Sequence, residues 1–259
     1  MEPISSRRNQ RLARVRRLLA ERRSRTREGL LAVEGEDLVA AALAAGIQPV
    51  DVLAAAGAPL DGALVAAVEP VLALVEPDLL ADAGTLGHAA RIVAVVRQSD
   101  LPAVPAGPPD VALALVGVGD PGNVGTLLRG MALLGPGVVA VGPGSADPFN
   151  PRSLRASMGA IFHVPLLRTA EPDRAFPGTR SVALDASADA RLDGIDLTGP
   201  VTFLVGAERR GLPDGMAAAA DVRAHIPIAP RAGIDSLNAG MAGTIALYER
   251  RRQIVSRVG

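Results

Sequence analysis

The sequence predicts an α/β protein built in two parts, and three observations predict it. Apolar runs of strand length alternate with segments of helical periodicity along nearly the whole chain. One stretch, Ser99 to Asp110 (SDLPAVPAGPPD), is crowded with prolines and has no periodicity, the mark of a linker. Directly after it, Val111 to Val116 is continuously apolar, as in a parallel strand buried on both faces. The expected division is therefore a small α/β sandwich over 1–98, a linker over 99–110 and a larger α/β domain with a parallel sheet over 111–259.

The elements follow in order. Ile4 to Arg27 reads as one helix, with Leu12, Val15, Leu18 and Leu19 on one stripe and Arg over the remaining face. Its ten Arg face only Glu2 and Glu21, so like charges repel unless something anionic covers them. Leu30–Glu34 is strand-like, Gly35–Ala45 helical and Val50–Ala54 strand-like. After a weakly marked stretch, Asp78–Ala83 is helical and Arg91–Arg97 a strand. Past the linker come the strand Val111–Val116, a glycine-rich loop, a helix from Val124 to Leu134 and a second buried strand, Gly137–Val141. A short helix over Pro151–Met158 precedes three more strands, Ser181–Leu184, Val201–Val205 and Ala224–Ile228. The last of these is closed by Pro230. A helix from Asp235 or Ser236 to Arg252 completes the chain, with Asp or Ser as its N-cap. Parallel strands alternating with helices place ligands at the strand C-terminal ends.

Composition removes several chemistries. Nearly half of the 259 residues are apolar but only 2% are aromatic, so the core is Ala, Val and Leu. There is no Cys, hence no disulfide, thiolate ligand or Cys nucleophile. His88, His163 and His225 have no partner at ligand spacing, and no metal is expected. No apolar run approaches the roughly 20 residues that cross a bilayer, and the basic N-terminus lacks a signal-peptide core. The expectation is a cytoplasmic protein with no membrane partner. Net charge is zero, but the distribution is not: the N-terminal segment carries the basic surface.

Gly117 to Gly122 (GVGDPG) matches G-x-G-x-x-G between a strand and a helix, which raises a dinucleotide-binding fold. Two features count against it. The next strand ends in Gly142-Pro143 where an acid should hold the ribose, and Pro121 sits where the phosphate turn needs a free N–H.

Three segments taken together make a sharper pattern: DPGNVGTLLRGMALLG (120–135), FLVGAERRGLP (203–213) and IPIAPRAGIDSLNAGMAG (226–243). In that order they resemble the N-x-G-x-x-x-R, G-x-E-x-x-G and I-P…S-L-N motifs of the SpoU branch of the SPOUT RNA methyltransferases, the TrmH-like enzymes. ADPFNPRSLRASMGAIFHVP (146–165) is similar to the family's segment between the first two motifs. ISSRRNQRLARVRRLL and LLAVEGEDLVAAAL resemble the small L30e-like substrate-binding domain that many members carry.

The resemblance implies S-adenosylmethionine as donor without a metal, an RNA ribose 2′-hydroxyl as acceptor, a homodimer and a C-terminal trefoil knot. Ribosomal RNA is the favoured substrate, because an L30e-like domain suits a structured RNA loop. Transfer RNA and an inactive RNA-binding member are the alternatives. Asn123, Arg129, Glu208, Ser236 and Asn238 would form the catalytic cluster. Leu204, Val205, Gly206, Ile226, Ile228, Ser236, Leu237 and Asn238 would hold the donor. Arg7, Arg8, Arg11, Arg14, Arg17, Arg129 and Arg155 would meet RNA. Arg129 is permanently charged and so serves as a phosphate clamp rather than a base. Glu208 either acts directly or ties loops together. Gly240 and Gly243 cost helix propensity, roughly 1 kcal/mol each, unless they permit close packing at the knot or across the dimer.

Overall fold

A computed structural model of the chain describes residues 2–85, 90–229 and 236–258. It divides into two compact units, 1–101 with 149–163, and 102–148 with 164–259.

The first unit opens with α1 (Gln10–Ala20) and α2 (Arg22–Glu28), followed by β1 (Leu30–Glu34), α3 (Glu36–Ala44), β2 (Asp51–Ala55), α4 (Gly62–Val68), β3 (Leu72–Val75), α5 (Pro77–Ala83) and β4 (Ile92–Arg97). Its sheet runs β1-β4-β2-β3, with β4 antiparallel to both neighbours and β2 parallel to β3. Leu12, Val15 and Leu18 of α1 pack with Leu53, Val93 and Val95 of the sheet. The weakly marked stretch after β2 holds α4 and β3, whose Ala-rich sequence blurs both periods.

The N-terminal helix is not continuous. Asn9 caps α1 by accepting from the backbone N–H of Arg11 and Leu12, and Ile4 instead pairs in strand fashion with Val75. At Glu21 the backbone turns extended. Ser24 donates to the Glu21 carboxylate at 2.6 Å, and Arg25, only 3% exposed, donates to the orphan carbonyls of Leu18 and Leu19. A helix break is thus satisfied internally.

The second unit begins with the Pro-rich stretch, where Val104 packs against Ala112, Val138, Ala140 and Phe176. It continues with β5 (Val111–Val116), α6 (Pro121–Leu134) and β6 (Val138–Val141). The helix α7 (Pro151–Ser157) comes next in the chain but packs on β1 in the first unit. There Arg155 donates to Thr85 Oγ1 at 3.0 Å and to the buried Glu34 carboxylate, which also takes the Thr85 N–H and hydroxyl. The second unit resumes with β7 (Leu166–Arg168), β8 (Arg180–Leu184), β9 (Ala190–Arg191), β10 (Val201–Gly206), α8 (Asp214–Ala219), β11 (Val222–His225) and α9 (Ala239–Val258).

These seven strands form one parallel sheet in the order β7-β6-β5-β10-β8-β11-β9. The chain leaves β5 outward to β6 and β7, then returns on the other side, with β10 inserted between β5 and β8. β11 ends at His225 rather than Ile228, because Pro227 has no N–H for the ladder. α9 starts at Ala239 rather than Ser236, and Asn238 takes the capping role, accepting the Met241 N–H at 3.2 Å. Asp235, Arg231 and Gly233 of the expected loop fall within 230–235, outside the described residues. Among the described residues no helix is long and apolar enough to cross a membrane.

Candidate active site

A cavity of about 1040 Å³ lies at the C-terminal ends of β8, β10 and β11. Its lining comes from the ends of these strands and from the segments that follow them, the end of a parallel sheet at which ligands are placed. Val205, Gly206, Ile226, Ile228, Ser236 and Leu237 all line it.

Gly206 is dictated by packing. A Cβ there would strike the backbone of Gly211 and Leu212, so β10 can lie on the following turn only without a side chain. Within that turn Ala207 and Gly211 exchange two backbone hydrogen bonds of 3.0 and 2.9 Å, and Gly211 has φ +64°.

Beside the turn stands a polar cluster. Asn123, near the start of α6 and buried, donates from Nδ2 to Glu208 Oε1 at 2.7 Å. The backbone N–H groups of Gly119 and Asp120 reach the same carboxylate at 3.3 Å each. The Asp120 side chain meanwhile caps α6 through the Asn123 N–H. Burial pushes the Glu208 carboxyl up, but the Asn123 amide and the backbone donors outweigh it, and the group is held below its ordinary range. An ionised carboxylate occupied by three donors is a weak base and a good strut.

Asn123 and Asn238 meet at Gly240. A Cβ at Gly240 would lie 3.1 Å from Asn238 Oδ1, 3.2 Å from Asn123 Oδ1 and 3.3 Å from Thr126 Cβ. The glycines of α9 thus serve close packing on α6 within the same chain.

The expected donor residues divide. Val205, Gly206, Ile226, Ile228, Ser236 and Leu237 line the cavity, as does Glu208. Leu204 does not: it points into the core with Ala114, Ala183 and Leu212. Asn123 and Asn238 stand beside the cavity lining. Arg129 stands exposed on α6 and makes no hydrogen bond or ion pair among the described residues.

The expected RNA arginines divide more sharply. Arg11 is a structural staple, donating to the buried Asp51 carboxylate and to the carbonyls of Val52 and Val71. Arg155 is engaged with Glu34 and Thr85. Both guanidiniums are committed to buried acceptors that would otherwise be left unsatisfied. Arg7 pairs with Asp82, while Arg14 and Arg17 share Glu28 at 3.9 and 3.8 Å. Arg8 has no side-chain partner among the described residues, and the same holds for Arg16, Arg22 and Arg23.

Sequence reasoning missed one wall. Past β8, Asp185 takes the Ser187 N–H and hydroxyl on one oxygen, and Arg223 Nε and Nη2 at 3.1 and 2.7 Å on the other. The Ser187 hydroxyl, with further help from Arg223, holds the Asp185 carboxyl below its ordinary range, against burial. The D-A-S triplet after an apolar strand is an Asx-turn signal that would have located it.

A parallel α/β unit with its cavity at the strand ends, flanked by an amide–carboxylate cluster, defines the ligand-binding class. The sequence pattern of the SpoU rRNA Methylase family matches residues 110–248. A 23S rRNA (uridine(2479)-2′-O)-methyltransferase of Streptomyces viridochromogenes is 31% identical, over 96% of this chain and 92% of its own length. The SpoU methyltransferase AviRb from the same organism, solved with AdoMet, superposes with a TM-score of 0.82 at 29% identity, covering 96% of this chain and 99% of that one. An AdoMet-bound rRNA methyltransferase from Sinorhizobium meliloti gives 0.82 at 27% identity, covering 98% of each chain. The chain belongs to the SpoU rRNA methylase family.

Proposed function

We propose that this chain transfers a methyl group from S-adenosylmethionine to a ribose 2′-hydroxyl of ribosomal RNA, with 23S rRNA as the first candidate. The observation that carries the reading is the 31% identity to a 23S rRNA 2′-O-methyltransferase across both units. The cavity fits such a donor: its volume suits a ligand of that size, and Ile226, Ile228 and Leu237 offer apolar walls for an adenine face. Backbone groups of Val205 and Gly206, with Ser236, would hold the polar parts.

Once bound, the donor supplies an electrophilic methyl group on a sulfonium. As the ribose oxygen bonds to that methyl, the carbon–sulfur bond breaks and the hydroxyl proton has to leave. Glu208 is poorly suited to take it, being low in pKa and already occupied. Its part is to fix Asn123 and the 119–123 turn against the 207–211 turn. Arg129, with its guanidinium uncommitted, grips an RNA phosphate that accepts the proton. Asn238 both caps α9 and presents its amide beside Asn123.

The first unit is the RNA-binding part, working through Arg8, Arg16, Arg22 and Arg23, with Arg7, Arg14 and Arg17 in weak surface pairs that RNA can displace. The enzyme works as a homodimer in the cytoplasm. Supporting the dimer, Met241, Tyr248 and Val255 repeat every seven residues on α9 and are each more than half exposed, and Leu133 of α6 is 72% exposed. A trefoil knot in the second unit belongs to the same proposal, supported by the third motif leading into α9.

Incubation of the protein with labelled donor and either 23S rRNA or total transfer RNA tests the reading. Label is expected in 23S rRNA at a 2′-O-methyl ribose. Label in transfer RNA alone would redirect the substrate, and no transfer to any RNA would sink the enzyme.

A further inference from the structure

Arg209 and Arg210 occupy the turn between β10 and α8 and line the rim of the cavity. Both are exposed, and neither forms a hydrogen bond or ion pair among the described residues. That separates them from the arginines of the second unit that are matched to acids: Arg168 with Asp147, Arg174 with Glu171, Arg191 with Asp193, Arg223 with Asp185, Arg252 with Glu249 and Arg257 with Asp196. The acids nearest the rim do not compensate them. Asp185 is committed to Arg223 and Ser187, and Glu208 to Asn123 and two backbone N–H groups. Asp214 sits in the first turn of α8, where the helix N-terminus favours its charge.

The mount beneath the two arginines is rigid. Ala207 and Gly211 close the turn with paired hydrogen bonds, Gly206 lies flat against it, and Glu208 ties it to the start of α6. A fixed turn that projects two adjacent, unmatched guanidiniums at a cavity mouth is built to meet an external anion.

We propose that Arg209 and Arg210 grip a backbone phosphate of the RNA strand flanking the nucleotide whose ribose enters the cavity. This rests on the RNA methyl-transfer reading above. A polyanionic strand suits the site better than the single carboxylate of the donor, because both side chains are directed to solvent-accessible surface. An unpaired RNA segment threaded past the rim presents its phosphates where a two-pronged guanidinium can take them.

The test compares wild type with R209Q/R210Q and R209K/R210K, measuring donor affinity by calorimetry, RNA KM, kcat and the salt dependence of RNA binding. For the Gln pair, RNA KM is expected to rise by about tenfold, the loss of one charge-assisted contact. Its log–log salt slope should fall by roughly 0.7 for the phosphate released. Donor affinity should hold, and kcat should fall less than KM rises. The Lys pair should regain the slope but only part of the KM, since a point charge lacks the fork. Unchanged RNA KM and slope in a variant that binds donor would overturn the contact. So would loss of donor affinity in both pairs, which would assign the arginines to the donor or the turn. Wild type that methylates no RNA would bring down the parent reading as well, and is told apart by that control.

Discussion

Glu208 joins two turns from different strands through the Asn123 amide and two backbone N–H groups, so its protonation should be felt at the cavity. Its folded pKa lies below the ordinary 4.5. The stabilisation it gives is complete above that ordinary value and is lost as pH falls through the lower folded one. Donor binding titrated toward acid should show this step in wild type and lack it in Glu208→Gln. Substitution at Asn123 separates shape from charge. Asn123→Ala is expected to slow methyl transfer by about ten- to a hundredfold, the loss of a hydrogen bond to a charged carboxylate. Asn123→Asp sets a second carboxylate against Glu208 and should be worse at neutral pH, recovering partly as one of the pair protonates. An Asp variant as active as the Ala variant at neutral pH would argue against the contact. Asn123 and Glu208 were legible from their motifs. That the Leu204 side chain faces the core was not legible, because a motif position says nothing about which way an alternating strand side chain points.

The close fit between α6 and α9 is made by glycines from both helices. A Cβ on Gly130 would stand 3.1 Å from Thr244 Oγ1, one on Gly240 meets three atoms at 3.1–3.3 Å, and one on Gly243 would run into Leu127 Cδ2. Alanine improves helix propensity by roughly 1 kcal/mol, but overpacking costs about 1–3 kcal/mol, and with Leu127 fully buried the overpacking should win. Gly243→Ala is therefore expected to lower the thermal midpoint. Leu127→Ala should relieve it, so that the double variant loses less than the two singles added together. Strict additivity would show that the helices can part without strain. The sequence marked these glycines as a cost wanting a reason. It could not say against which helix they pack, because that is set by a sheet order in which β10 inserts between β5 and β8. The buried strands read cleanly from their apolar runs. α4, β3, β7, β9 and α8 escaped, being short or Ala-rich and held by pairing rather than by pattern.

Across the whole chain the net charge is zero, yet the arginines sort into matched and unmatched sets. Replacing Arg8, Arg16, Arg22 and Arg23 with Gln should flatten the salt slope of RNA binding and spare the thermal midpoint. Arg11→Gln should do the reverse, because it strands the buried Asp51. An unchanged slope in the first variant would end the RNA-tracking role of α1 and α2. The charge count made this surface legible, but not which cations the fold had already consumed. The exposed stripe on α9 makes its own prediction: Met241→Glu with Tyr248→Glu should shift sedimentation from dimer to monomer, and a monomeric wild type would refute the interface.

The gap between Asn123 and Asn238 in the sequence carries a consequence for synthesis. α9 follows every other element of the second unit in chain order, yet it seals α6 and sets the amide that faces Asn123. While the nascent polypeptide is still being extended, its strands can pair and α6 can form, but the donor has no finished place to bind. A ribosome-arrested chain halted before Ala239 should therefore retain no S-adenosylmethionine, and the enzyme would come to life only after the ribosome making it has released that helix.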